Sequence, residues 1–232
     1  MSALVLHHHP LSSYCHKVLI ALDALGIEEV EKRLLNLGDP AERAAFLALW
    51  PTGKMPLLVD EGRPVPETSI IIEYLQRNHA APGRAPLIPT EPDAALDVRL
   101  WDRVFDAYVM TPMEVHTYDL LKPEGERDPR GVAAARARLL SSYAMLDRHL
   151  EGRTWVSGEA FSMADCAAAP SLFYAVAYVP LPVEHVHLAA YFERLMAHAS
   201  VAKTVDQARP FFQYFPGKAG LQQRFFVVKP DA

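Results

Sequence analysis

The chain has 232 residues, half of them apolar and 22% charged, a globular composition long enough for one large or two ordinary domains. A net charge of −5, with no run of Lys or Arg, argues against nucleic acid as a partner. Cys15 and Cys166 are too few for a disulfide framework. The N-terminus lacks the basic start and long apolar core of a signal peptide, and no apolar run reaches membrane-spanning length. A soluble, cytoplasmic protein in a reducing compartment is expected.

Ala3 to His8 reads as a buried first strand. His7, His8 and His9 invite a metal reading, but consecutive strand residues point to opposite faces and cannot all ligate one ion, so no metal is expected. A loop, Pro10 to Cys15, leads to a helix from about His16 to Leu25, which Gly26 stops. Val30 to Leu37 contains a charged second strand, and Pro40 to Leu49 is a short helix ending at Trp50. The stretch Pro51–Leu75 then organises the chain. A Pro-Thr-Gly-Lys turn enters a strand at Pro56–Val59, turns at Asp60–Arg63 with Gly62 suited to positive φ, forms a second strand around Pro64–Val65, and opens a helix at Glu67–Thr68. This order of strands and helices is that of a thioredoxin-like domain.

Ala80–Pro92, with four prolines and one glycine, reads as a linker. Beyond it the signal is helical. Asp93 to about Val109 carries Leu96, Leu100 and Val104 at four-residue spacing, with Trp101 and Phe105 widening the apolar stripe, and Pro112 is expected to kink or interrupt it. Lys122–Arg130 is a charged loop, and Val132, Leu139, Tyr143, Leu146 and Leu150 mark the next amphipathic helix. Ser162 and Asp165 have capping-box spacing at the head of an Ala-rich helix running to about Tyr178, which should occupy the domain centre with Cys166 as a core residue. Two short helices follow, at Leu188–His198 and Val201–Gln207. The Phe225–Val228 run in the tail is too apolar to leave in water and should pack on its own chain or a neighbour.

A proline opening a strand cannot donate to the ladder, and statistics alone favour trans for Met55–Pro56. In context, however, the strand-opening proline, the Glu67–Thr68 helix start, the proline-rich linker and the Ser162/Asp165 cap, in that order, resemble the cytosolic glutathione S-transferase family, bacterial and serine-type. The resemblance covers about residues 3–210. It implies a thioredoxin-like domain at 1–79, a linker at 80–92, an all-helical domain at 93–210 and a tail at 211–232. It implies a cis Met55–Pro56 bond with the Met55 backbone on the cysteinyl part of glutathione, Glu67 and Thr68 on the γ-glutamyl end, and Lys54 on the glycyl carboxylate. The family usually has Ser at the Thr68 position and Asn near Trp50. Taken alone, Glu67 or Thr68 also reads as a plain helix cap, and Lys54 as a solvated loop lysine.

Glutathione chemistry needs a thiolate, and a free thiol has a pKa near 8.5; lowering it by about two units takes roughly 2.7 kcal/mol. A hydroxyl donating to sulfur at the positive end of a helix supplies such a stabilisation. The resemblance points to Ser12 as that donor, with Ser13 as the alternative one residue along. Cys15 without a partner cysteine lacks a resolving thiol. Tyr108, Met110, Met113 and His116 are expected near a pocket for a small hydrophobic electrophile, although such spacing also suits plain core. The resemblance further implies a homodimer. Other readings are a glutathione-transferase-like binding or scaffold protein that has lost turnover, and a glutathione-dependent isomerase or disulfide reductase.

Overall fold

The computed structural model describes residues 4–226. Strand β1 (Leu4–His8) lies beside β2 (Glu31–Leu34) in parallel and β3 (Leu57–Asp60) antiparallel, and β4 (Arg63–Val65) completes the order β2-β1-β3-β4. Ala3, expected in the first strand, lies outside the described residues. Glu61 and Gly62 join β3 to β4 with φ of 48° and 82°, the paired left-handed geometry that matches the twist of a two-residue hairpin. Strand β2 is shorter than its apolar boundaries suggest, and all four of its residues are exposed on the edge, where Lys32 and Arg33 discourage further pairing.

Helix α1 (Ser13–Ala24) crosses from β1 to β2, and α2 (Pro40–Leu49) and α3 (Thr68–Asn78) complete the sheet domain. Phe46 of α2 forms a small separate core with Leu35 and Leu57, against which Trp50 and Met55 pack. That packing accounts for Trp50. Helix α1 begins three residues before the expected His16, because Ser12 caps it and carries Ser13, Tyr14 and Cys15 into the first turn. Gly26 closes it at φ 68°. The proline-rich segment that follows α3 is anchored rather than loose. Ile88 exchanges two hydrogen bonds with the Gln76 side chain, both 2.9 Å, and Leu87 accepts from Met163 N–H.

The helical domain comprises α4 (Pro92–Val104), α5 (Thr111–Leu121), α6 (Pro129–Leu150), α7 (Met163–Tyr178), α8 (Val186–Ala197) and α9 (Ala199–Ala208). Two expectations fail here. The leucine stripe faces outward: Leu96 and Leu100 are 65% and 54% exposed, while Ala95, Val98, Trp101 and Val104 are buried. Four-residue spacing drifts around a 3.6-residue helix, so the wide stripe spans two faces: Trp101, Val104 and Phe105 are buried, and Leu96 and Leu100 lie on the outer one. Pro112 does not break the rod either. A π-helical turn, Phe105–Met110, joins α4 to α5, and Pro112 sits in the first turn of α5, where its missing N–H costs little.

Helix α7 is the axis of the domain, buried from Met163 to Ala175 and packed on α1 and α4. The capping box forms: Asp165 accepts from Ser162 N–H at 2.9 Å and from Ser162 Oγ at 2.8 Å. It also accepts from Val156 N–H at 3.2 Å and from the Tyr191 hydroxyl at 2.6 Å, tying the preceding loop and α8 to the cap. The tail winds back over α7 in short 3-10 turns. Phe225 packs edge-on against Phe173 at 4.8 Å, so the expected burial on its own chain holds there; Val227 and Val228 lie outside the described residues. Gly220 touches the C-terminal turn of α7 so closely that a Cβ would fall 1.8 Å from the Ala177 carbonyl oxygen. No helix among the described residues is long and apolar enough to cross a membrane.

Asp165 is a folding residue on this geometry. Asp165→Ala removes one cap and leaves the Val156 N–H and Tyr191 hydroxyl buried without a partner, at about 1–3 kcal/mol for each stranded group. Thermal unfolding should show a loss of about 3 kcal/mol and a midpoint lower by roughly 6–12 °C; an unchanged midpoint contradicts the assignment.

Candidate active site

Strand pairing assembles the site. His7 of β1 lies opposite Leu57 of β3, which sets the Met55–Pro56 bond beside the loop that follows β1. That bond is cis, and among the described residues no backbone group pairs with Met55 N–H or C=O. The loop itself is braced from below. Neutral His16, whose imidazole is pushed down to about 4 by burial, holds the Pro10 carbonyl through Nε2 at 2.6 Å. His9 Nδ1 accepts from Leu11 N–H at 3.1 Å.

Ser12 is the N-cap of α1, with extended φ and ψ of −81° and 117°. Its Oγ accepts from Cys15 N–H at 3.3 Å, and the same hydroxyl, beside the Cys15 sulfur, opposes part of the rise that burial causes in that thiol. Ser13 is the first helical residue and is buried. The one-residue ambiguity between the two serines therefore separates into a half-buried hydroxyl at the helix mouth and a buried one within the first turn. Cys15 has no exposed surface, and burial pushes its thiol up to about 11. Its sulfur accepts from His9 N–H at 3.4 Å, beneath the loop rather than at its opening.

Glu67 holds the N-cap position of α3 at φ 68° and ψ 120°, in the left-handed region that costs a residue with a side chain about 1–3 kcal/mol. Neither its side chain nor that of Thr68 caps the helix, so the plain capping role is not what occupies them. Glu67 is exposed and Thr68 is buried, its extra methyl absorbed without disturbing the helix start. Lys17 of α1 donates to Ser69 Oγ at 3.1 Å, which brings the first turns of α1 and α3 together. Lys54 is exposed in the turn before Met55, across a cleft from α5; its charge opposes the rise that burial causes in the Glu114 carboxyl.

The second wall of this cleft differs from expectation. Met110 and Met113 are core residues, and His116 is buried in a stack on Tyr178 with ring centres 5.3 Å apart. Tyr108 is exposed, its carbonyl taken by Ser142. Tyr14, Thr111, Glu114 and Tyr118 are the residues that meet between α1, α5 and Lys54. Burial raises both the Tyr14 hydroxyl and the Glu114 carboxyl, and Tyr14 bonds Thr111 while Tyr118 bonds Glu114. Lys17, Asp102 and Asp106, which join the two domains beneath the cleft, went unread. Their signal was a lysine beside His16 in the largely apolar run Cys15–Leu22, and two aspartates four residues apart, one on the next domain's first helix and one on the π-helical turn that follows it. Among the described residues no group of three His, Cys, Asp or Glu is placed to hold a metal ion.

Family models of the glutathione S-transferase N-terminal and C-terminal domains match residues 6–83 and 129–194. The chain is 30% identical to a glutathione S-transferase of Pseudomonas putida, over 70% of each protein. It is 28% identical to a stringent starvation protein A homolog of Coxiella burnetii, over 74% of this chain and 76% of that one. Among solved structures, a glutathione S-transferase of Methylobacillus flagellatus with glutathione bound superposes with a TM-score of 0.74 at 28% identity, covering 87% of this chain and 98% of the other. A mixed four-stranded sheet domain, a helical domain seated on α7 and these matches in both halves lead to one conclusion: the chain belongs to the glutathione S-transferase family.

Proposed function

We propose that this protein is a glutathione transferase of serine type, in which Ser12 donates its hydroxyl proton to the glutathione sulfur and stabilises the thiolate for attack on a small hydrophobic electrophile. The observation that carries the reading is the place of the Ser12 hydroxyl: it caps α1, half-buried, at the positive end of a helix. In this reading the Met55 backbone pairs with the cysteinyl part of glutathione, and Pro56 in its cis bond presents it. Glu67 takes the α-ammonium of the γ-glutamyl end, Thr68 and the first N–H groups of α3 take its carboxylate, and Lys54 takes the glycyl carboxylate. The strained backbone at Glu67 supports this, since such strain concentrates at binding sites. The electrophile occupies the cleft between the Ser12 loop and the Tyr14–Tyr118 wall.

The protein is further proposed to act in the cytoplasm as a homodimer. Ile70, Leu96 and Leu100 are exposed along α3 and α4, beside a groove of about 660 Å³ lined by Arg63, Tyr74, Arg77 and Arg99. That face supports pairing of the first domain of one copy with the second domain of its mate. A glutathione-holding scaffold is the second reading, favoured by the similarity to a protein named for stringent starvation rather than for transfer. Disulfide reduction is disfavoured by the buried, weakly acidic Cys15.

Ultraviolet thiolate absorbance across pH tests the transferase reading. Bound glutathione should titrate well below about 8.5, and Ser12→Ala should move it back toward that value. The same substitution should lower kcat about 10- to 100-fold, the worth of one hydrogen bond to a charged group, with glutathione affinity within about threefold. Binding without a shift supports the scaffold. Cys15 and Cys166 should resist a disulfide reagent at pH 8 until the protein unfolds; labelling of native Cys15 at the rate of a free thiol would restore the reductase reading. Leu96→Glu with Leu100→Glu should convert a dimer to a monomer in light scattering.

A further inference from the structure

Lys17 has no exposed surface, yet it carries an ammonium into the seam between the two domains. That group lies 2.6 Å from Asp102 Oδ1 on α4, 2.9 Å from Asp106 Oδ2 on the π-helical turn and 3.1 Å from Ser69 Oγ on α3. Ser69 donates in turn to Asp102 Oδ2 at 2.5 Å. The ammonium donates to Ser69 Oγ and Asp106 Oδ2 and pairs by charge with Asp102 Oδ1, so three different elements hold it. Both carboxylates are almost wholly buried, and the Arg103 guanidinium, 3.9 Å from Asp106, is the further charge at its rim.

Stability is a poor reason for such an arrangement. Burial pushes the Asp106 carboxyl up, and its Oδ1 has no hydrogen-bond partner among the described residues. Apolar side chains of similar volume commonly match or exceed the stability of a buried ion cluster. Position is a better one. Each arm is one step from a wall of the cleft. Ser69 directly follows Thr68. The Asp106 carbonyl accepts from Thr111 Oγ1 at 3.0 Å, and Thr111 bonds the Tyr14 hydroxyl. Lys17 stands on the helix that Ser12 caps.

We propose that Lys17 is a positioning residue, which through Ser69, Asp102 and Asp106 holds the glutathione side of the cleft in register with the electrophile side. This rests on the transferase reading, and it assigns the cluster to alignment of two substrates rather than to the grip on either one.

The test uses the full chain with Lys17→Met, Asp102→Val and Asp106→Val together, and separately Ser69→Ala, which removes only the α3 arm and changes no charge. Glutathione and S-hexylglutathione are the binding probes, and 1-chloro-2,4-dinitrobenzene is the electrophile. In both variants the melting temperature and glutathione affinity should hold, within about threefold for the latter. The triple variant should lose roughly 10- to 100-fold in kcat, the scale of loss from small misplacement of reacting groups, and Ser69→Ala a smaller part of it. The extra affinity from the hexyl group, which spans both walls, should fall with it. Retention of kcat and of the hexyl increment overturns the inference, as does a parallel fall of stability, glutathione affinity and rate, which marks a merely structural cluster. If the triple variant does not fold, Ser69→Ala decides. If the wild type binds glutathione without turning it over, the hexyl increment decides. A wild type that binds no glutathione overturns the transferase reading, and this inference with it.

Discussion

Helix α1 has almost no solvent face, and the rest of the structure follows from that constraint. From Cys15 to Leu22 every residue is buried, between the sheet and α3 on one side and α7 and α9 on the other. A buried polar group must find a partner or carry a penalty of a few kcal/mol, so each polar residue on this helix is committed to a specific neighbour. His16 is spent on the Pro10 carbonyl and stays neutral; Lys17 is spent on the domain seam; the Cys15 sulfur is spent on the loop above it. Ser12, at the mouth, is half-buried and caps the helix by accepting from Cys15 N–H. The same packing that makes the helix a core element thus leaves the Ser12 hydroxyl half-buried at its mouth.

The helical domain is the mould that makes this burial possible. Helix α7 is so rich in alanine that α1 and α4 approach it closely, and it starts where Asp165 gathers a cap, a loop amide and a tyrosine hydroxyl. Those bonds fix the axis before any part of the cleft is considered. The sheet domain contributes its own register through His7 opposite Leu57, and the two registers meet at Lys17.

Much of this was legible from the residues. Element order, the Ala-rich central helix and its Ser162–Asp165 cap needed only periodicity and capping chemistry. The cis bond at Met55–Pro56 needed the wider pattern, since isolated statistics point the other way. What escaped did so for physical reasons. The helix start at Ser13 was hidden because a serine loop and a serine cap look alike until the Cys15 N–H is placed on Ser12 Oγ. Leu96 and Leu100 read as core because an apolar stripe does not say whether it faces its own domain. Met110 and Met113 lie in the core, as their spacing also allows, and no local rule announces the π-helical turn beside them. The Lys17 cluster draws on residues separated by up to 89 positions, and only folding brings them together.

The π-helical turn also sets how the two halves of this helical rod are oriented. Thr111 N–H reaches back five residues to the Asp106 carbonyl, so the rod holds one residue more than an α-helix of the same rise would. One residue is about 100° of rotation. Everything upstream, including Asp102, keeps its bearing on α1, while the residues from Thr111 onward are rotated as a block relative to α4. A substitution in this segment alters one side chain; a single-residue deletion would turn the entire wall while leaving α4 and its packing untouched. The bearing of α5 on α4 is therefore governed by a count of residues rather than by the identity of any one of them.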